Sequence, residues 1–187
     1  MKIKINKKFI SLCLFAIYFI YQAITQQNNP TKFNLKNNPT IKISPTPIKG
    51  VTIVVSVIDG DTIILNDQSH LRYIGVDTPE LHHPKIKLQC FGEEAKIANQ
   101  KLVEGKEIIM ETDVSNVDRY KRLLRYVWVK NNNSSNSAIF VNDYLVRQGF
   151  AYASTFPPDV KYAKQFIEAE TEARENNRGL WSKCETP

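Results

Sequence analysis

Acidic residues are absent from the first fifty positions of this 187-residue chain, a stretch that holds eight lysines. That absence accounts for the net charge of +6. Of the 25 basic residues, 17 remain in 51–187 against 19 acidic ones, so this larger part carries about −2. No general positive field therefore draws polyanions to it, and any attraction for phosphate must be local. Histidine is scarce, with three in the chain. His82 and His83 are adjacent and would project differently from a loop, and no Cys/His set lies at zinc-like spacing. A glycine-rich phosphate loop and a nucleophile-elbow pattern are both missing, which removes the commonest nucleotide-binding and serine-hydrolase readings.

Long apolar runs are missing too. Phe9 to Tyr21 is a mostly apolar stretch of 13 residues. As a helix it would span roughly 20 Å, short of the roughly 30 Å of a bilayer core. Lys2, Lys4, Lys7 and Lys8 precede it, and Ala23-Ile24-Thr25 places small residues at −3 and −1 of a cut. Residues 1–25 thus fit a cleavable export signal, with an uncleaved N-terminal membrane anchor as the alternative. The domain beyond is expected to be secreted or periplasmic, or membrane-anchored outside the cytoplasm. The lysines of the arm could hold the chain near anionic lipid if the segment stays attached. No lipobox-like small residue precedes Cys13, which would leave with the signal. Cys90 and Cys184 then remain, either as a disulfide or as two unrelated thiols.

Gln26 to Gly50 is rich in Asn, Pro, Thr, Gln and Lys and has few large apolar residues, so it is expected to be a disordered linker. The folded domain is expected over 51–187. Val51, Ile53, Val55 and Val57 alternate as a strand does, and Thr62 to Leu65 continues past Gly60. Asn66-Asp67 signals a turn, and Leu71 to Val76 forms a returning strand. Leu81 to Gln89 reads as a loop. Glu93 to Leu102 is a helix with Ala95, Ala98 and Leu102 on one face and Gly105 as its stop. Strands follow at Glu107–Thr112 and Leu123–Val129. Asn142 is placed as the N-cap of a short helix ending at Gly149. A last helix is expected over about Asp159 to Asn176, with Tyr162, Phe166, Ala169 and Ala173 as its apolar stripe. This order suits an α+β fold in which about three helices pack on a five-stranded OB-type barrel, a generic α+β sheet being the alternative.

The chemistry concentrates in thirty residues. Ile58-Asp59-Gly60-Asp61-Thr62, Arg72 and Val76-Asp77-Thr78-Pro79-Glu80 set three carboxylates and a guanidinium on a strand–turn–strand frame. Asp59-Gly60 alone is a hairpin turn. Asp61 tells more, because aspartate is unfavourable in strands and the turn already has its acid. Pro79 forces an extended Thr78, whose carbonyl can then face a cation. Hard oxygen donors suit calcium or magnesium, and a neighbouring arginine suits phosphate. Taken singly, each acid is as well explained as a loop carboxylate that accepts from nearby amides. Asp118-Arg119-Tyr120-Lys121-Arg122 with Arg125 offers a second phosphate grip, or else the solvated face of an edge strand.

Together with Gly92-Glu93-Glu94-Ala95, Leu145-Val146-Arg147-Gln148-Gly149 and Gly179-Leu180-Trp181-Ser182, these motifs resemble the thermonuclease (staphylococcal-nuclease-like) family over about 51 to 183. The resemblance implies an OB-fold barrel, Ca2+ as cofactor, and hydrolysis of DNA and RNA that leaves 3′-phosphate ends. It implies Asp61, Asp77 and the Thr78 carbonyl as metal ligands, Glu80 as the residue that orients or deprotonates water, and Arg72 and Arg122 on the phosphate. Tyr120 matches a substrate-contacting tyrosine, and the protein is expected to act as a monomer. A binding module of the same fold that holds nucleic acid or protein without cutting is the rival reading. Two departures from the family pattern stand out. Lys121 occupies a position where glycine is usual, and Tyr152, Phe156 and Pro157-Pro158 replace the usual base-stacking tyrosines.

Overall fold

The computed structural model describes residues 52–81, 89–130 and 138–184. The segments expected to be an export signal and a linker, and His82 and His83, lie outside the described residues. Among the described residues, eight strands run β1 (Thr52–Val57), β2 (Thr62–Leu65), β3 (His70–Tyr73), β4 (Val76–Asp77), β5 (Glu107–Glu111), β6 (Leu123–Lys130), β7 (Ala138–Phe140) and β8 (Tyr152–Ala153). The helices described among them are α1 (Gly92–Val103), α2 (Val141–Arg147), α3 (Ala163–Glu175) and the single turn α4 (Leu180–Lys183).

The main sheet has the order β3-β2-β1-β5-β6-β7. A parallel pairing of β3 with β6, Arg72 opposite Leu124, closes the first five of these into a barrel. This is the expected OB-type architecture, and closure removes the sheet edges that a flat sheet would expose. Inward positions alternate along the strands: Val54 and Val57, Ile63 and Leu65, Leu71 and Tyr73 are all buried. An irregularity between Val54 and Ser56 shifts the β1–β2 register, as a bulge does when a strand must curve around a small barrel.

A second core lies outside the barrel. Along β6, Tyr126 and Trp128 are as buried as their inward neighbours Val127 and Val129. Trp128 stacks on Phe140 with ring centres 4.5 Å apart, and Tyr126 meets Tyr162 edge-on at 4.6 Å. Phe166 of α3 completes this cluster. The β6 strand is thus covered on both faces, which its nearly continuous apolar run permits.

Three expectations are corrected. Leu71 to Val76 is not one strand, because Gly75 turns the chain at φ 75° between β3 and β4. Only glycine fits there, since a Cβ would lie 2.4 Å from the Phe166 ring. The break lets β4 leave the barrel and pair with β8, Asp77 opposite Tyr152. Asn142 is not an N-cap: Phe140 holds that position, and Asn142 is fully buried inside α2. Its side chain accepts from Val127 N at 2.9 Å and donates to Ile74 O at 2.9 Å, joining β6 to the end of β3. The helix expected from Asp159, α3, begins at Ala163, four residues later, and the Asp159 carboxylate instead accepts from Ser115 N at 2.7 Å.

Cys90, just before α1, and Cys184, just after α4, form a disulfide with Cα atoms 5.8 Å apart. A close backbone approach seats α4 independently. Leu180 N donates to Gly149 O at 2.8 Å, and a Cβ on Gly149 would come within 2.2 Å of Arg178 O.

Candidate active site

The turn that carries Asp61 is a closed loop. Ile58 N donates to Thr62 O at 2.9 Å and Asp61 N to Asp59 Oδ1 at 3.2 Å, so Asp59 serves the turn and leaves Asp61 for other work. Asp61 sits at the start of β2 with its side chain 3% exposed. Thr62 Oγ1 donates to its Oδ1 at 2.8 Å and Thr78 N to its Oδ2 at 3.2 Å. The second bond ties the Asp-Thr-Pro-Glu segment to the turn. Gly60 permits this approach, since a Cβ there would lie 2.5 Å from the Thr78 methyl.

Arg72, on β3 opposite Thr62, reaches both acids. Its Nη1 donates to Asp61 Oδ1 at 2.9 Å and its Nη2 to Asp77 Oδ1 at 2.8 Å. Burial pushes the Asp61 carboxyl well above the usual carboxylate range, and the Arg72 guanidinium offsets this only in part. A buried carboxylate still short of positive charge beside a half-exposed one is a setting in which a cation is favourable. Among the described residues no three His, Cys, Asp or Glu side chains gather into a metal cluster. A hard divalent ion at Asp61 and Asp77 would therefore complete its shell with backbone carbonyl and water oxygens, as calcium and magnesium sites commonly do.

Arg122 approaches from the other side. Asp118 organises its loop by accepting from Tyr120 N at 2.8 Å, Arg122 N at 2.9 Å and Arg122 Nε at 2.7 Å. Burial works to raise the Asp118 carboxyl, but these bonds and the guanidinium outweigh it and hold the acid below its ordinary range. Nε and Nη2 of Arg122 are spent on Asp118, and among the described residues Nη1 makes no hydrogen bond or ion pair. Arg72, Glu80, Tyr120 and Arg122 all line one cleft of about 780 Å³. The chain thus brings Arg122 and Glu80 to a common space although 42 positions separate them in sequence. The β3–β6 pairing is what does so, because it sets Arg72 and Leu124 side by side.

Arg125 does not join this grip. It is buried, and its guanidinium donates to Asn116 O at 3.0 Å and Asn116 Oδ1 at 2.8 Å, which anchors the base of the Arg122 loop instead. Of the two aromatics considered as base platforms, Tyr152 packs edge-on against Trp181 at 5.4 Å. Phe156 is 74% exposed and lines the cleft. Asp118 has no role in the sequence reading beyond its place in the motif, and its signal is an acid four residues before the arginine it holds.

Lys121 lies in the Arg122 loop at φ 65°. A left-handed conformation costs a non-glycine residue roughly 1–2 kcal/mol, less a fraction returned because glycine has more freedom to lose on folding. Lys121→Gly is expected to raise stability by about 1 kcal/mol, measured by urea unfolding with an unchanged slope. No change in midpoint would mean that the lysine is unstrained.

Residues 70–183 match the family described as staphylococcal nuclease homologue. A thermonuclease from Staphylococcus hyicus is 36% identical over 132 residues, covering 69% of this chain and 74% of the relative. A thermonuclease from Staphylococcus intermedius is 33% identical over 146 residues, covering 76% of this chain and 83% of the relative. Endonuclease YncB of Bacillus subtilis is 37% identical over 131 residues, covering 67% of this chain and 59% of the relative. The matched stretch runs from β3 to α4 and contains Arg72, Asp77, Glu80 and Arg122, and by this match and these identities the chain belongs to the staphylococcal nuclease family.

Proposed function

We propose that the protein is a calcium-dependent endonuclease that hydrolyses phosphodiester bonds of DNA and RNA and leaves 3′-phosphate ends. The observation that carries this is a single cleft lined by Arg72, Glu80 and Arg122, with Arg72 in turn bonded to Asp61 and Asp77. Asp61, Asp77 and the Thr78 carbonyl would hold the ion. Calcium bound there would neutralise and orient the scissile phosphate. Glu80 takes a proton from water as that water attacks phosphorus. The bond to the 5′ oxygen breaks as the new phosphorus–oxygen bond forms, and that oxygen leaves as a hydroxyl with a proton drawn from solvent. Arg72 and Arg122 hold the phosphate and act on the charge that builds on its oxygens, Arg122 through the nitrogen that Asp118 leaves uncommitted. Tyr120, 64% exposed beside Arg122, lies where it can touch the same phosphate or its sugar. The Cys90–Cys184 disulfide favours an oxidising compartment outside the cytoplasm.

The test is incubation of the purified chain with single-stranded DNA, and separately with RNA, in calcium and in chelator. Cleavage in calcium only is expected, with fragment ends that lose a phosphate to a 3′-phosphatase. Absence of chelator-sensitive cleavage overturns the reading, and binding without cleavage would identify the non-cutting module instead.

A further inference from the structure

The Glu80 carboxylate is exposed, and among the described residues no hydrogen bond or ion pair engages it. Its position in the cleft is set through its backbone. Gln89 holds that backbone from both sides: Glu80 N donates to Gln89 Oε1 at 2.7 Å, and Gln89 N donates to Glu80 O at 3.1 Å. The neighbours of Gln89 press on the neighbours of Glu80. Gly92 lies so close to Pro79 and Leu81 that a Cβ would come 2.9 Å from Pro79 O and 3.0 Å from a Leu81 methyl.

The clamp is itself anchored. Cys90, next to Gln89, is covalently tied to Cys184. Phe91, at φ 71°, stacks on Phe150 with ring centres 5.7 Å apart. Gly92 then begins α1, whose inner face is buried on the barrel. A rigid support therefore ends in one amide oxygen aimed at the backbone of the residue that meets water. A pair of reciprocal bonds of this kind constrains both position and rotation of a short segment, which matters most for a group that must reach a water molecule with correct geometry.

We propose that Gln89 is a positioning residue for Glu80, acting through its side-chain acceptor and held in place by the Phe91–Phe150 stack and the buried face of α1. This rests on the role given to Glu80 above. Gln89 is exposed, so its replacement does not threaten the core. In the full chain, Gln89→Leu is expected to lower kcat on single-stranded DNA by about 10–100-fold, the scale of a small misplacement of a reacting group. KM and calcium affinity, the latter by calorimetry, should change little. Gln89→Glu keeps the acceptor oxygen and should restore most of the lost kcat, which a loss of general structure would not allow. In a Glu80→Gln background, Gln89→Leu should cost nothing further, since the two act as a unit. If Gln89→Leu leaves kcat unchanged while Glu80→Gln destroys it, the inference fails and the role of Glu80 stands. If Glu80→Gln leaves kcat unchanged, the underlying reading fails. An undiminished loss from Gln89→Leu in the Glu80→Gln background, or no recovery with Gln89→Glu, also overturns the inference.

Discussion

Glu80→Gln is expected to lower turnover by about 10²–10⁴-fold, the range usual for removal of a general base. The substitution preserves size and shape and leaves the backbone bonds to Gln89 untouched, because these involve Glu80 N and O and not its side chain. It does not touch the bonds among Asp61, Arg72, Asp77 and Thr78. Calcium affinity should therefore hold while kcat falls, and KM should change little, since the lost interaction belongs to the transition state. Calorimetric titration of calcium beside steady-state cleavage of single-stranded DNA separates the two quantities. Equal losses in ion binding and turnover would place Glu80 among the metal ligands. Unchanged turnover would remove it from the chemistry altogether.

How far this site could be read from the sequence depends on how locally each part is built. Asp61, Arg72 and Asp77 sit on one hairpin and the short strand after it, so spacing alone brings them close, and the structure bonds all three. Arg122 stands just before β6, which meets β3 in a parallel pairing that no local pattern announces. The basic run around it suggests a phosphate grip, and only the family resemblance sets that grip beside Arg72. Positions where the sequence misleads are those where a polar side chain serves a distant partner. Asn142 has the residue type and location of an N-cap, yet its amide bridges two strands in the interior. Asp159 fits a helix start, yet it accepts from a loop 44 residues away. Arg125 looks like part of a basic patch, yet β6 is covered on both faces and turns it toward Asn116. The lysine in place of glycine at 121 was the reverse case. It stands where the family usually has glycine, and its φ of 65° is one that glycine adopts freely.

Removing the Cys90–Cys184 bridge, by the double substitution Cys90→Ser and Cys184→Ser or by a dithiol, is expected to lower stability by about 4–5 kcal/mol. The size follows from the separation of 94 residues, because a loop of that length loses much of its freedom when its ends are joined in the unfolded chain. The native state has little reason to change when the bridge goes. The approach of Gly149 to Gly179 and the bond from Leu180 N to Gly149 O still hold α4, and α1 keeps its buried face on the barrel. The effect should thus fall on the unfolded ensemble, which expands and exposes more surface. Urea unfolding should show both a lower midpoint and a steeper slope, since the slope scales with surface exposed. A lower midpoint with a shallower slope would point instead to a native state in which the C-terminal turn has already come away. A loss below about 1 kcal/mol, far under the chain-entropy figure, would mean that the bridge constrains little and that α4 is held by its backbone contacts alone.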